Sequence, residues 1–276
     1  MSGVPNLKLN NGVEIPQLGL GVFQVPPEQT EKVVATALEV GYRSIDTAAG
    51  YRNEEGVGAA VRASGLPRDE IFVTTKLANS DQGYDATMRA FDTSLAKLGL
   101  EFVDLYLIHW PLPARDTYVQ TWKAFEKLYA DGRVRSIGVS NFQVPHLQRL
   151  FDETDIVPVA NQIELHPNLL QAELREFHAK HRIVTEAWSP LAQAQILDVQ
   201  PIAALAKKYG KTPAQIVLRW HIELGNIVIP KSVRPSRMKE NFEIFDFELS
   251  PDDVEVVSAL DNGQRTGPDP DTFNMA

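Results

Sequence analysis

The chain has 276 residues, 43% hydrophobic and 23% charged, with 27 Lys and Arg against 36 Asp and Glu for a formal net charge of −9. That acidity argues against a general attraction to nucleic acid or anionic lipid, and the length suits one large α/β barrel of about 250 residues better than two small domains. Cysteine is absent, which excludes a disulfide framework, a thiolate metal site and a cysteine nucleophile and fits a reducing cytosol.

The opening "MSGVPNLKLNNGVEIP" lacks the basic-then-apolar pattern of a signal peptide, and nowhere do 18 apolar residues run together. A cytoplasmic protein of one domain spanning residues 1–276 is the expectation, a monomer with no nucleic-acid or membrane partner. Asn11-Gly12 suits a two-residue hairpin turn. From there short β-rich runs alternate with amphipathic stretches. The expected strands cover residues 17–23, 43–46, 71–76, 103–109, 135–140, 158–164, 182–188 and 226–231.

Between them lie helical patterns. In "TEKVVATALEVG" Thr30 is the expected N-cap, Val33, Val34, Ala37 and Leu38 share one face, and Gly41 ends the helix. "NEEGVGAAVRASG", "YDATMRAFDTSLAKLG" and "TPAQIVLRWHIELG" repeat the plan, and Trp122 and Trp220 fit helix faces packed on a barrel. "LAQAQILDVQP" and "LSPDDVEVVSALD" read as extra helices outside the repeat. Eight β-then-α units with no strand hairpin after the opening imply parallel strands, and eight closes a (β/α)₈ TIM barrel.

Strand two then ends in Asp46, strand three in Lys76 and strand four in His109, spaced by about one βα repeat of roughly 30 residues. In a barrel the C-terminal strand ends form one rim, so these groups reach one mouth, with Tyr51 in the loop after strand two. Taken singly, a strand-end Asp reads as a helix cap, and a lone Lys or His as a solvated or satisfied side chain. Taken jointly, the periodic placement points to chemistry. A lysine ammonium about 4 Å from a tyrosine hydroxyl, at an effective dielectric near 20, is worth roughly 4 kcal/mol, about three pKa units. On that arithmetic Lys76 brings Tyr51 down into working range, Asp46 holds Lys76 charged, and His109 orients a substrate oxygen. The set suits delivery of a proton to an oxygen becoming negative, as when hydride attacks a carbonyl.

The usual dinucleotide signature is missing. "GLGVFQ" and "GVGAAV" match only the first two glycines of G-x-G-x-x-G, and none of the 7 tyrosines has a lysine four residues later. A phosphate site is instead expected at "PKSVRPSRMKEN", where Lys231 and Ser232 sit at the rim, Pro235 starts a helix, and Arg237 and Asn241 share a face.

"DTAAGYRNEEGVG", "TTKL", "DLYLIHWP", "SIGVSNF", "NQIELHP", "GKTPAQIVLRW" and "IPKSVRPSRMKENF" resemble the aldo-keto reductases, in that order and across nearly the whole chain. Within that family the chain is most similar to bacterial 2,5-diketo-D-gluconate reductases and their actinobacterial relatives. The resemblance implies a barrel enzyme that binds NADPH without a Rossmann domain and reduces small dicarbonyls, keto-sugar acids or similar carbonyl compounds. Asp46, Tyr51, Lys76 and His109 match the family's catalytic four, with Tyr51 as proton donor. By the same resemblance Ser140, Asn141 and Gln162 hold the nicotinamide carboxamide and Trp188 stacks on its ring. Ser189 and Leu191 match pyrophosphate contacts, while Lys231, Ser232, Arg237, Glu240 and Asn241 match the 2′-phosphate and adenine site; Gly21 and Val233 complete the cofactor set. Phe23, Ala48 and Trp110 join Tyr51 and His109 around the substrate.

Three departures bear on specificity. Many members carry Trp after "KL", where this chain has Ala78, so one pocket wall is expected to be missing. "SPLAQAQ" differs from the commoner Gly- or Ser-containing loop over the cofactor, and the tail "GQRTGPDPDTFNMA" is short. Glu164 and His166 share a strand face, but no early His-x-His accompanies them, so no metal site is expected and a metal-dependent barrel hydrolase is disfavoured. His178 and His181, three apart on a polar helix, are expected to be solvated. The alternative to an enzyme is an NADPH-binding or sensing partner protein resembling the potassium-channel β subunits, which keep the same four residues.

Overall fold

The structure, a computed structural model, describes residues 3–275; Met1, Ser2 and Ala276, at the ends of the opening and closing stretches, lie outside the described residues. It begins with β1 (Asn6–Lys8) and β2 (Glu14–Pro16), an antiparallel hairpin in which Lys8 faces Glu14. The turn is not the two-residue type expected of Asn11-Gly12. Leu9 N–H donates to Val13 O at 2.8 Å and Gly12 N–H to Leu9 O at 2.9 Å, with Gly12 at φ 89°, so the bend spans Asn10 to Gly12 and ends on a left-handed glycine.

Eight parallel strands follow on the expected runs: β3 (Leu20–Gly21), β4 (Ser44–Asp46), β5 (Phe72–Leu77), β6 (Leu105–Ile108), β7 (Ile137–Ser140), β8 (Ala160–Glu164), β9 (Val184–Trp188) and β10 (Ile227–Val228). Each pairs with the next in sequence. The ring closes between its ends: Val228 N–H donates to Gln17 O at 3.0 Å, Gly19 N–H to Val228 O at 2.9 Å and Gly21 N–H to Pro230 O at 3.3 Å. A Cβ at Gly21 would sit 2.9 Å from Ile229 O, so the first strand approaches the last this closely only without a side chain there.

The helices are α1 (Pro27–Val40), α2 (Glu54–Ala63), α3 (Tyr84–Leu98), α4 (Tyr118–Ala130), α5 (Val144–Glu153), α6 (Ala172–His181), α7 (Gln200–Tyr209), α8 (Pro213–Glu223), α9 (Pro235–Phe242) and α10 (Pro251–Ser258). α9 packs between α8 and α1 and completes the outer ring, which leaves α7 and α10 as the additions to the repeat. α1 presents Val33, Val34, Ala37 and Leu38 to the core and ends at Gly41. Thr30 does not cap it. Pro27 at the first helical position starts the helix earlier, so Thr30 is interior and donates its hydroxyl to Pro26 O at 2.9 Å. Nor is "LAQAQILDVQP" a helix. Its start forms a 3₁₀ turn (Ala192–Ala194) in which Ala192, Gln193 and Ala194 all have positive φ, and α7 begins only at Gln200. Three adjacent left-handed residues with side chains break the α ladder.

Trp122 on α4 and Trp220 on α8 are buried between helices and barrel, and each indole N–H finds an acceptor, Ile156 O and Ser258 Oγ. At the other end of the barrel, Leu9 and Ile15 of the hairpin region pack on Phe72, Leu105, Leu107, Ala160 and Ile227. This plug fills the N-terminal end with apolar side chains and leaves the polar strand-end residues to the opposite mouth. His178 is a correction. It lies on the inner side of α6 with Leu174, fully buried, where Nε2 is 3.0 Å from Asn161 Nδ2 and Nδ1 is 2.9 Å from Thr185 Oγ1. Burial, then Arg175, lowers its pKa to about 3, so it is neutral. His181 is half-exposed and packs on Phe177 and Phe151. No helix among the described residues is long and apolar enough to cross a membrane.

Candidate active site

The C-terminal rim gathers the strand-end residues. Asp46 ends β4, Lys76 is the penultimate residue of β5, and His109 follows β6 directly. Lys76 is wholly buried and spends its three protons on Asp46 Oδ1 at 2.6 Å, Thr47 O at 2.9 Å and Tyr51 Oη at 3.4 Å. Tyr51 comes from a 3₁₀ turn (Ala49–Tyr51) that the left-handed Arg52 terminates. Asn53 secures this turn from beneath: its carbonyl accepts from Thr47 Oγ1 at 2.7 Å, and its amide donates to Val22 O and Val25 O. Nothing in the local sequence pattern singled it out.

Burial by itself would depress the Lys76 ammonium, but the charge and hydrogen bond of Asp46, together with Tyr51 and Glu186, outweigh it and hold Lys76 above its ordinary value. For Tyr51 the balance falls against the sequence expectation. Burial raises the phenol, Lys76 lowers it, Asp46 and Glu186 raise it again, and the net shift is upward. Tyr51 therefore holds its proton firmly, with Lys76 as the one neighbour that offsets the upward shift. His109 is lowered to about 3 by burial and then by Lys76, which makes it a neutral imidazole at ordinary pH. Glu186, on β9, is pushed up to about 7 by burial and then by Asp46, against the pull of its Gln162 hydrogen bond and of Lys76.

Asp46, Tyr51 and His109 open into a cavity of about 420 Å³, within the usual range for small-molecule sites, while Lys76 and Glu186 lie behind its wall. Gly21, Phe23, Asp46, Tyr51, His109 and Trp110 line one side of it, and Ser140, Asn141, Gln162, Trp188 and Ser189 the other. Phe23 and His109 flank Tyr51, their rings 5.0 and 5.7 Å from its own. Asn141, at φ 63°, donates to His109 O at 3.0 Å and Ser140 Oγ at 3.1 Å and accepts from Trp188 Nε1 at 2.8 Å, which sets the indole plane against the rim. A second cavity of about 640 Å³ shares Phe23, Ser189 and Lys231 with the first and extends over Leu191, Ser232, Arg237, Glu240 and Asn241. Neither Lys231 nor Arg237 has a carboxylate partner among the described residues. Thr212 and Gln215, a reciprocal capping pair at the start of α8, hold α9 through Glu240.

Four residues fall outside these linings, the first of them Lys76, wholly buried behind Asp46 and Tyr51. Ala48 is buried under the Tyr51 turn, Val233 is exposed beside the second cavity, and Ala78 lines neither. The tail reaches this side of the rim: next to Ala78, Asn79 Nδ2 donates to Met275 O at 2.9 Å, and Phe273 packs 4.5 Å from Trp110.

The tail is the part of the site that sequence reasoning missed. Thr266, Gly267 and Pro268 line the first cavity. A Cβ on Gly267 would come within 2.5 Å of the Trp188 ring, so only glycine lets the tail lie this close. Glu164 fastens it, accepting from Thr266 N at 2.5 Å, Thr266 Oγ1 at 2.6 Å and Gly267 N at 3.2 Å, with His166 Nε2 3.0 Å away. Burial would raise this carboxyl, yet the hydrogen bonds from His166 and Thr266 hold it below the usual carboxylate range. A depressed native pKa stabilises the tail at pH above the ordinary value of about 4.3, and the contribution is lost as pH falls through the native value. Glu164→Ala is expected to speed amide exchange at residues 264–270 by at least about tenfold near neutral pH, since one bond to a charged group is worth roughly 1.5–3 kcal/mol. Unchanged exchange in that segment would show that the tail is held elsewhere.

Residues 17–262 match the aldo/keto reductase family. An aldo-keto reductase of Mycolicibacterium smegmatis is 59% identical over 271 residues, 98% of each chain. The methylglyoxal reductase DkgA of Yersinia pestis is 56% identical over 275 residues, 99% of each chain. A Gox0644 mutant solved in complex with NADPH has the same fold, with a TM-score of 0.95 at 49% identity over 98% of this chain and 99% of that one. With a match spanning most of its length and relatives more than half identical along nearly all of it, the chain belongs to the aldo/keto reductase family.

Proposed function

We propose that the protein reduces small aldehydes and ketones, dicarbonyls and keto-sugar acids among them, to alcohols using NADPH, with Tyr51 as the proton donor. The observation that carries this reading is a Lys76-backed Tyr51 hydroxyl beside His109, in a cavity that continues to the unpaired cations Lys231 and Arg237. The residues present fit the cofactor. Trp188 offers a fixed aromatic face, Gln162 a polar group beside it, and Lys231, Ser232 and Arg237 a cationic, hydroxyl-bearing end for a phosphate at the start of α9. Relatives named methylglyoxal reductase support a small dicarbonyl as substrate. Action as a cytoplasmic monomer goes with this reading.

When bound, the reduced nicotinamide supplies a hydride to the carbonyl carbon. Everything else falls to the chain. Neutral His109 has one N–H with which to hold the carbonyl oxygen, and Phe23 and Trp110 keep water from it. Tyr51 Oη gives its proton to that oxygen as negative charge gathers there. Lys76 stabilises the phenolate left behind, and Asp46 keeps Lys76 charged and in place.

The test is cofactor oxidation with methylglyoxal and a panel of carbonyl compounds; no turnover on any of them would overturn the reading. The cofactor assignment has its own check. Arg237→Ala and Lys231→Ala are each expected to weaken NADPH by roughly ten- to a hundredfold while leaving NADH nearly unchanged, because charge-assisted contacts to the 2′-phosphate are worth about 1.5–3 kcal/mol. Equal losses for both cofactors in a fluorescence titration would remove the 2′-phosphate from this corner.

A further inference from the structure

Glu186 is a buried carboxyl beside the reacting groups that the chemistry above leaves without a task. It stands opposite Gln162 on the neighbouring strand. Its Oε2 accepts from Gln162 Nε2 at 3.0 Å, while its Oε1 has no partner. The same Gln162 nitrogen donates to Asp46 Oδ2 at 2.7 Å. An amide nitrogen carries two N–H bonds, and here both are taken, one by each carboxyl. What remains to Gln162 is Oε1, an acceptor with no protein donor among the described residues, on a side chain that lines the cavity beside Trp188. Without Glu186 one buried N–H would go unpaired, and Asp46 alone would be left to hold the amide nitrogen inward.

We propose that Glu186 is a positioning residue: with Asp46 it clamps the Gln162 amide by its nitrogen, so that the cavity meets a fixed acceptor at Oε1 and selects a ligand bearing an N–H donor there, the primary carboxamide of the nicotinamide. The inference rests on the proposed use of NADPH and adds how one end of that cofactor is told from a look-alike. Asp46 supplies half of the clamp, so the group that fixes Lys76 also fixes the carboxamide site.

The test compares binding, not turnover, for three probes: NADPH, its reduced 3-acetylpyridine analogue, which has a methyl ketone in place of the carboxamide and so no N–H, and adenosine 2′,5′-bisphosphate, which carries only the far end. The wild-type protein is expected to prefer NADPH over the analogue by about three- to tenfold, the scale of one neutral hydrogen bond. Glu186→Met keeps the unbranched shape without the acceptor and should close that gap by weakening NADPH alone. Glu186→Gln can still accept through its amide oxygen and should restore the gap. Bisphosphate affinity should stay constant throughout, which a general loosening of the barrel would not allow. A gap that survives Glu186→Met, or one that Glu186→Gln fails to restore, overturns the proposal. So does a wild-type protein indifferent to the carboxamide, a measurement that decides the matter even if Glu186→Met does not fold. Failure of the functional reading itself looks different: the wild-type protein would then bind neither dinucleotide nor bisphosphate.

Discussion

Tyr51→Phe is expected to lower kcat by about 10²–10⁴-fold, the usual contribution of a general acid, while NADPH affinity stays within about twofold. The substitution removes the one hydroxyl that Lys76 backs, at 3.4 Å, and keeps the ring that packs 5.0 Å from Phe23. His109→Gln should fail differently. The imidazole is held neutral by burial and Lys76, with a pKa lowered to about 3, so it is a hydrogen-bonding group and not a proton store near neutral pH. Glutamine keeps an N–H, so measurable kcat should remain with a raised KM and an altered order of substrates. For the same reason any His109-linked limb of the wild-type kcat/KM profile should appear only toward pH 3, and a limb near pH 7, where Glu186 titrates, should persist in His109→Gln. An active Tyr51→Phe enzyme alongside a dead His109→Gln one would make histidine the donor.

The second large effect concerns the buried ion pair. Lys76→Met leaves Asp46 as an uncompensated negative charge, with only the Gln162 amide still donating to it. A loss of about 3–5 kcal/mol in unfolding free energy is expected, together with a fall in kcat comparable to that of Tyr51→Phe, since the phenolate loses its cation. Adding Asp46→Asn removes the stranded charge. The double variant should regain most of the stability and none of the turnover, because a well-packed neutral pair replaces a buried ionic one at little net cost but offers Tyr51 nothing. Urea midpoints and kcat measured on the two variants separate these effects; recovery of turnover in the double variant would reduce Lys76 to a structural role. The native pKa of Lys76 lies above its ordinary value, so the pair's stabilisation is fully present below about pH 10.4 and is lost as pH rises through the native value.

Much of the fold was legible because a strand is a local event. Eight runs of β-rich residues, each followed by a 3.6-period stretch, gave the strand count and the parallel order, and Asp46, Lys76 and His109 at successive strand ends gave the rim. The errors were also local in origin. Thr30 looked like a cap because residue type alone does not reveal that Pro27 has already begun the helix. "LAQAQILDVQP" scored as helical, but residues 192–194 are turned left-handed at the cavity mouth. His178 read as solvated on a polar helix, yet Asn161 and Thr185 supply a buried pocket from β8 and β9.

What the sequence by itself determined was therefore the set of groups and the end of the barrel they share, since strand order and period fix both. What only the tertiary structure decided was which group meets which. Gln162 and Asp46 are 116 residues apart, and Thr266 and Glu164 are 102 apart. No short-range pattern encodes such a pairing, because it depends on how the barrel closes and where the tail returns across its mouth. The upward shift of Tyr51 belongs to the same class. Lys76 alone predicts a drop, but the sign is set by how deeply the closed barrel buries the phenol and by the second carboxyl, Glu186, that closure brings near it.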